Sequence, residues 1–142
     1  MTISERRTAG QIYRDYNVAE NNHDLVTTTS LVAVDLKVEV NGVRQVSSGA
    51  DDERAMAILY AHYPDYRRVI KHIIDGIDEA AVVWEMRGTP ALVNGVLGLP
   101  LLVSGVSVVK SDGKVLTEAS LFADSSALDA VLNAASQEHQ EF

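Results

Sequence analysis

The chain has 142 residues, 46% of them hydrophobic and 23% charged, which suits one soluble domain with a buried core. Twenty acidic residues stand against 12 Lys and Arg, a net charge of -8. Nucleic-acid and anionic-membrane surfaces, which need clustered basic residues, are therefore disfavoured. There is no cysteine, so disulfides, thiol catalysis and Cys-zinc sites are excluded.

Thr2-Ile3-Ser4-Glu5 has the spacing of a capping box, and Ala9, Ile12, Tyr13, Tyr16 and Ala19 then fall on one helical face. That helix should stop near Asn21-Asn22. A weaker helix is expected from Asp24 toward Val32, against the β-branched run Val26-Thr27-Thr28-Thr29. Leu36, Val38 and Val40 alternate with Lys37 and Glu39 as in a half-buried strand, and Asn41-Gly42 predicts a hairpin turn into a short strand, Val43 to Val46. Asp51 to Tyr63 reads as a helix whose acidic first turn suits the helix dipole and which Pro64 ends. Four strands follow: Arg68 to Ile74, Ala80 to Thr89, Leu101 to Lys110 and Lys114 to Ala123. A Gly/Pro-rich loop, Pro90 to Pro100, separates the second from the third. Asp124 or Ser125 should cap a short helix through Ala134, with a polar tail from about residue 136.

Helices first and long antiparallel hairpins afterwards predict an α+β fold in one domain, 1–142. A curved sheet closing over amphipathic helices leaves a pocket at its open end for a small ligand. No segment approaches the ~18 uninterrupted apolar residues of a membrane span, and a cytoplasmic location is expected. No metal-ligand spacing, phosphate loop or dinucleotide fingerprint occurs, so neither metal nor cofactor is expected.

Several punctuating segments carry a resemblance. They are Tyr16-Asn17, Asn22-His23-Asp24-Leu25, Tyr63-Pro64-Asp65-Tyr66-Arg67, Arg87-Gly88-Thr89, Gly98-Leu99-Pro100 and Asp112-Gly113-Lys114-Val115. In this order they resemble the SnoaL-like polyketide cyclases of the nuclear transport factor 2-like superfamily. The resemblance implies a cone-shaped curved sheet around N-terminal helices, an apolar cavity and a homodimer or higher homo-oligomer. It implies cofactor-free acid/base chemistry (cyclisation, isomerisation or epoxide opening) on a hydrophobic oxygenated molecule such as a polyketide intermediate. Many relatives only bind ligands, so a binding or scaffold protein on the same fold is the alternative. Two positions depart from the family pattern: Pro90 stands where a histidine is usual, and Ser120 where the last strand usually carries an acid/base aspartate.

Glu118 is the candidate replacement carboxylate, because residues two apart on a strand share a face. If position 120 looks inward, so do Leu116, Glu118 and Phe122; the opposing reading is a twist or bulge that turns Glu118 to solvent. The proposed catalytic set is Glu118, Ser120 and Tyr16, with Tyr13, Trp84, Met86, Leu102, Ser104 and Phe122 enclosing the substrate. Tyr13 and Tyr16 could offer hydroxyls to a substrate oxygen or simply pack. Glu39, Glu85 and Arg87 are assigned outward, His23 to an exposed loop, and His72 to the face of Ile70 and Ile74. Val82, Val103 and Val109 are expected on the outer face of the sheet, where a second copy would cover them.

Overall fold

The computed structural model describes residues 6–91 and 100–124. Helix α1 (Ala9–Asn21) starts at Thr8, not within Thr2 to Glu5, which lie outside the described residues. Its capping box pairs the Gln11 N–H with the Thr8 hydroxyl at 3.1 Å and the Thr8 N–H with the Gln11 side chain at 3.0 Å. The same helix end is clamped from the sheet. Asp75 accepts from the Thr8 hydroxyl at 2.6 Å and from the Gly10 N–H at 3.3 Å, while the Ala9 N–H reaches the Ile77 carbonyl at 2.6 Å. These bonds satisfy N–H groups that a helix start leaves free.

The turn after α1 passes through His23 at φ 55 and leads into α2 (Leu25–Ser30), capped by Asp24. Strand β1 (Val32–Val40) turns through Asn41-Gly42, both with positive φ, into β2 (Val43–Val46), the hairpin chemistry that the sequence announces. Helix α3 (Gly49–His62) is capped by Ser48 and ends before Pro64. Strands β3 (Arg67–Asp75), β4 (Glu79–Gly88), β5 (Leu101–Ser111) and β6 (Leu116–Ala123) follow as antiparallel neighbours. The helix expected after Asp124 and most of the Pro90 to Pro100 loop lie outside the described residues.

The six strands form one curved, unclosed sheet in the order β2-β1-β6-β5-β4-β3. All pairs are antiparallel except β1 with β6, which run parallel and join the N-terminal hairpin to the C-terminal one. This is the expected α+β architecture. The helices pack against the sheet's inner face, where Ile12, Tyr13, Tyr16, Val82, Trp84 and Val109 are buried. No described helix is long and apolar enough to cross a membrane.

Two bulges decide which residues look inward. In β6, Lys110 pairs with Glu118 while Ser111 pairs with Leu116, so Thr117 is the extra residue. One extra residue flips every side chain beyond it. Leu116 is buried, but past the bulge Ala119, Leu121 and Ala123 pack on the core. Glu118, Ser120 and Phe122 therefore point outward, against the uniform alternation assumed from Leu116 onward. In β3, Ile70 pairs with Trp84 and His72 with Val83, leaving Lys71 as the extra residue. His72 is thereby exposed, not aligned with Ile70.

Strand β5 also has the opposite facing from that expected. Leu101, Val103, Ser107 and Val109 are buried, and Leu102 and Ser104 are exposed. The assignment of Val82, Val103 and Val109 to the outer face is thus corrected: they are core. The outer face instead carries Val83, Leu102 and Phe122. Apolar residues occupy both parities of β5, so alternation alone could not choose its face.

Candidate functional site

Three elements bring polar side chains into the cone. On α1, Tyr13, Tyr16 and Glu20 follow one another at three- and four-residue spacing and so share a face. On α3, Asp52 heads the stripe that continues through Met56, Leu59 and Tyr63. On β3, Arg68 precedes the Lys71 bulge and faces inward opposite Met86. Together with Ser107 of β5 they line the polar end of a cavity of about 130 Å³. Val32, Leu36, Val38, Leu116, Ala119 and Leu121 supply its apolar walls.

Glu20 is fully buried and the Arg68 side chain is only 10% exposed, at 3.5 Å from it. Isolated burial of either charge would be prohibitive, so the surrounding bonds matter. The Tyr66 hydroxyl donates to Glu20 at 2.7 Å, and Arg68 donates to the Tyr13 hydroxyl at 3.0 Å. The guanidinium lies 4.6 Å over the Trp84 ring, and the Trp84 N–H donates to the Ser107 hydroxyl at 2.7 Å. Burial works most strongly against the Arg68 charge, but the Glu20 carboxylate together with Tyr13 and Tyr66 outweighs it and pushes Arg68 well above its usual range. Burial pushes the Tyr13 hydroxyl up as well.

Asp52 differs from this matched pair. Its carboxylate lines the cavity, takes a hydrogen bond from the Tyr16 hydroxyl at 2.9 Å, and forms no ion pair among the described residues. Burial raises its pKa above the ordinary aspartate value, opposed by the Tyr16 hydrogen bond and reinforced by the nearby Glu20 charge. Burial, followed by the Asp52 and Glu20 charges, pushes Tyr16 well above its usual range. Tyr16 is therefore a donor, and Asp52 is a carboxyl group poised to exchange a proton inside a mostly apolar cavity.

The structure separates the residues selected from sequence into two groups. Tyr13 and Tyr16 line the cavity, and Trp84 and Met86 are buried beside it. Glu118, Ser120, Leu102, Ser104 and Phe122 lie on the other face of the sheet, so their assignment to the site is corrected for the register reasons above. Glu118 is solvent-exposed, 3.8 Å from Lys110. His23 is not loosely exposed: its ring stacks 3.9 Å from Tyr60 and its Nε2 lies 2.8 Å from the Tyr66 carbonyl.

Sequence reasoning missed Glu20, Asp52, Arg68 and Ser107. The signals were present in the continuation of the Tyr13/Tyr16 stripe to Glu20 and of the Met56/Leu59/Tyr63 stripe back to Asp52. A second, wider depression of about 480 Å³ lies near His23, Asp65 and Arg67. Its polar atoms are largely engaged, Asp65 by the Thr89 N–H and Asn21 by the Arg68 backbone.

The sequence matches no family model and no curated protein. Solved structures do match. A proposed SnoaL-like polyketide cyclase from Shewanella putrefaciens superposes with TM-score 0.71 at 14% identity, over 94% of this chain and 99% of its own. IdmH, a proposed polyketide cyclase from Streptomyces antibioticus, gives TM-score 0.71 at 18% identity, over 87% of this chain and 97% of its own. This chain has the SnoaL-like, nuclear transport factor 2-like fold. AclR, a proposed hydroxylase from Streptomyces galilaeus, shares that SnoaL-like frame at 20% identity and TM-score 0.68, over 94% of this chain and 98% of its own. At such identities the likeness speaks for the frame, and the chemistry rests on the side chains within it.

Proposed function

We propose that this SnoaL-like chain is a cofactor-independent acid/base catalyst acting on a hydrophobic oxygenated small molecule, with Asp52 as the group that moves the proton. The observation that carries this reading is Asp52 itself: a carboxyl group with a raised pKa, at the wall of an apolar cavity, held by Tyr16. As a carboxylate it would take a proton from carbon beside a carbonyl, and as an acid it would return it. The Tyr13 hydroxyl, backed by Arg68, is available to hold the oxygen on which negative charge develops. Cyclisation, isomerisation and epoxide opening all use this pairing. A cavity of about 130 Å³ admits roughly one ring, so only the reacting part of a larger polyketide-like molecule would enter. That small volume is also what favours the alternative, a non-catalytic binding protein on the same fold.

The test is a generic proton-abstraction probe, 5-nitrobenzisoxazole, a fused bicycle that needs only its isoxazole ring to enter the cavity. A base removes its C3 hydrogen, the N–O bond breaks, and the coloured cyanonitrophenolate is released while the proton passes to water. The reading predicts catalysis that Asp52→Asn lowers on the order of 100-fold. Glu118→Gln, on the outer face, should leave the rate unchanged. Equal rates for the wild type and Asp52→Asn would contradict the assignment.

A further inference from the structure

The charges around the cavity do not balance. Glu20 and Asp52 each bring a carboxylate, and Arg68 is the cation between them and the sheet. Arg68 is committed to Glu20, at 3.5 Å with both side chains buried. All 12 Lys and Arg residues fall within residues 6–91 and 100–124, and none of them forms an ion pair with Asp52. Arg68 thus acts on Asp52 only from beyond ion-pair distance, and no cation among the described residues pairs with it. The dipole of α3, in whose first turn Asp52 stands, favours its negative charge only in part.

Its hydrogen bonding is equally incomplete. One oxygen, Oδ2, accepts from Tyr16, and among the described residues no donor reaches the other. Tyr16 spends its proton on Asp52 and keeps its oxygen lone pairs. Asp52 and Tyr16 thus offer free acceptors next to a space of about one ring, while elsewhere on the same wall the buried Arg68 Nε–H is a donor without a partner. A metal ion is poorly matched, because among the described residues no three His, Asp or Glu side chains converge.

We infer that the cavity recognises a protonated primary amine carried on a small ring, its ammonium group seated on Asp52 and Tyr16 and its ring against Leu36, Val38 and Leu121. An ammonium group supplies the missing positive charge, and its several N–H groups meet the free acceptors. The ring replaces water along the apolar wall. The tyrosine rings at this end also attract a cation. An anion of the same size would add a third negative charge against the one Arg68 cation of the wall and is disfavoured. This concerns recognition at the same cavity and holds whether or not Asp52 moves a proton.

Three isosteric probes, benzylamine, benzyl alcohol and benzoate, test it by ligand-observed NMR at pH 7 on the full chain. Benzylamine should bind at least tenfold more tightly than benzyl alcohol, and benzoate more weakly than either. In Asp52→Asn the amine and the alcohol should differ by less than about threefold, while Glu118→Gln, a surface carboxylate, keeps the full preference. Tyr16→Phe, which retains the carboxylate, should keep the ranking as well, so a misfolded Asp52→Asn would not remove the test. Benzyl alcohol or benzoate binding as tightly as benzylamine to the wild type would overturn the inference, as would an amine preference that survives Asp52→Asn. Benzylamine binding without turnover of the benzisoxazole would count against the catalytic reading and for this one. Turnover without an amine preference would do the reverse.

Discussion

Replacing Arg68 by methionine removes the cation from the Glu20–Arg68 pair while keeping most of the aliphatic stem. Glu20 would then be a fully buried carboxylate with the Tyr66 hydroxyl at 2.7 Å and the Asn17 amide at 3.3 Å as its remaining side-chain partners. Breaking a buried pair by removing one partner costs about 3–5 kcal/mol. The two surviving donors place the expected loss near the lower end, about 3 kcal/mol. Loss of the guanidinium over Trp84 acts in the same direction, and methionine's sulfur contact with the ring offsets part of it. For a chain of this length that is a drop in Tm of roughly 10 °C. Urea unfolding monitored by the single tryptophan measures it directly. Adding Glu20→Gln to Arg68→Met removes the stranded charge and should recover about 2 kcal/mol. A loss below about 1 kcal/mol in Arg68→Met would refute the reasoning, and so would a double variant as unstable as the sum of the two singles.

Two further outcomes follow from the same geometry. A Cβ at Gly105 would stand 2.6 Å from the Trp84 ring and 2.8 Å from the Ala123 Cβ, so Gly105→Ala should cost about 1–3 kcal/mol and shift the Trp84 emission. An unchanged emission spectrum and unchanged stability would contradict that packing. Asp52 has a raised pKa in the folded protein. Its contribution to stability is therefore fully present below the unfolded value near 3.8 and is lost as pH rises through the higher folded value. Asp52→Asn removes that loss, so its stability relative to wild type should be greater at pH 7 than at pH 4, as measured by urea unfolding at both pH values. A difference independent of pH, or of opposite sign, would contradict the raised pKa.

The order of elements was legible in the sequence because helix ends and turns are marked by specific chemistry. Pro64, Asn41-Gly42 and Asp112-Gly113 each sit at the boundary that they announce. The facing of the strands was not, because it depends on where an extra residue is inserted. Nothing about Thr117 or Lys71 as residue types marks a bulge, yet each reverses the side chains after it. That is why Glu118, two positions from Ser120 on one continuous alternation, was chosen and Asp52 was not. Asp52 was hidden for a second reason. Asp51-Asp52-Glu53 is adequately explained as an acidic first turn, and only the packing of α3 against β1 and α2 shows that Asp52 turns toward the cavity while Asp51 reaches out to Arg54. Arg68 and Glu20 were hidden because a charge beside a core stripe is ordinarily solvated. Their burial depends on meeting each other across α1 and β3, a pairing 48 residues apart in sequence that no local pattern reveals.

The central claim is that Asp52 is a cavity carboxyl group with a raised pKa, and a carbon-13 NMR titration of the aspartate side-chain carboxyls, with Asp52→Asn for assignment, tests it most directly. The account predicts a midpoint for Asp52 above the ordinary aspartate value of 3.8, rising further in Tyr16→Phe, where the opposing hydrogen bond is gone. A midpoint at or below 3.8, or one unmoved by Tyr16→Phe, would mean that Asp52 is an ordinary helix-start aspartate and that the chemistry proposed for this cavity is wrong.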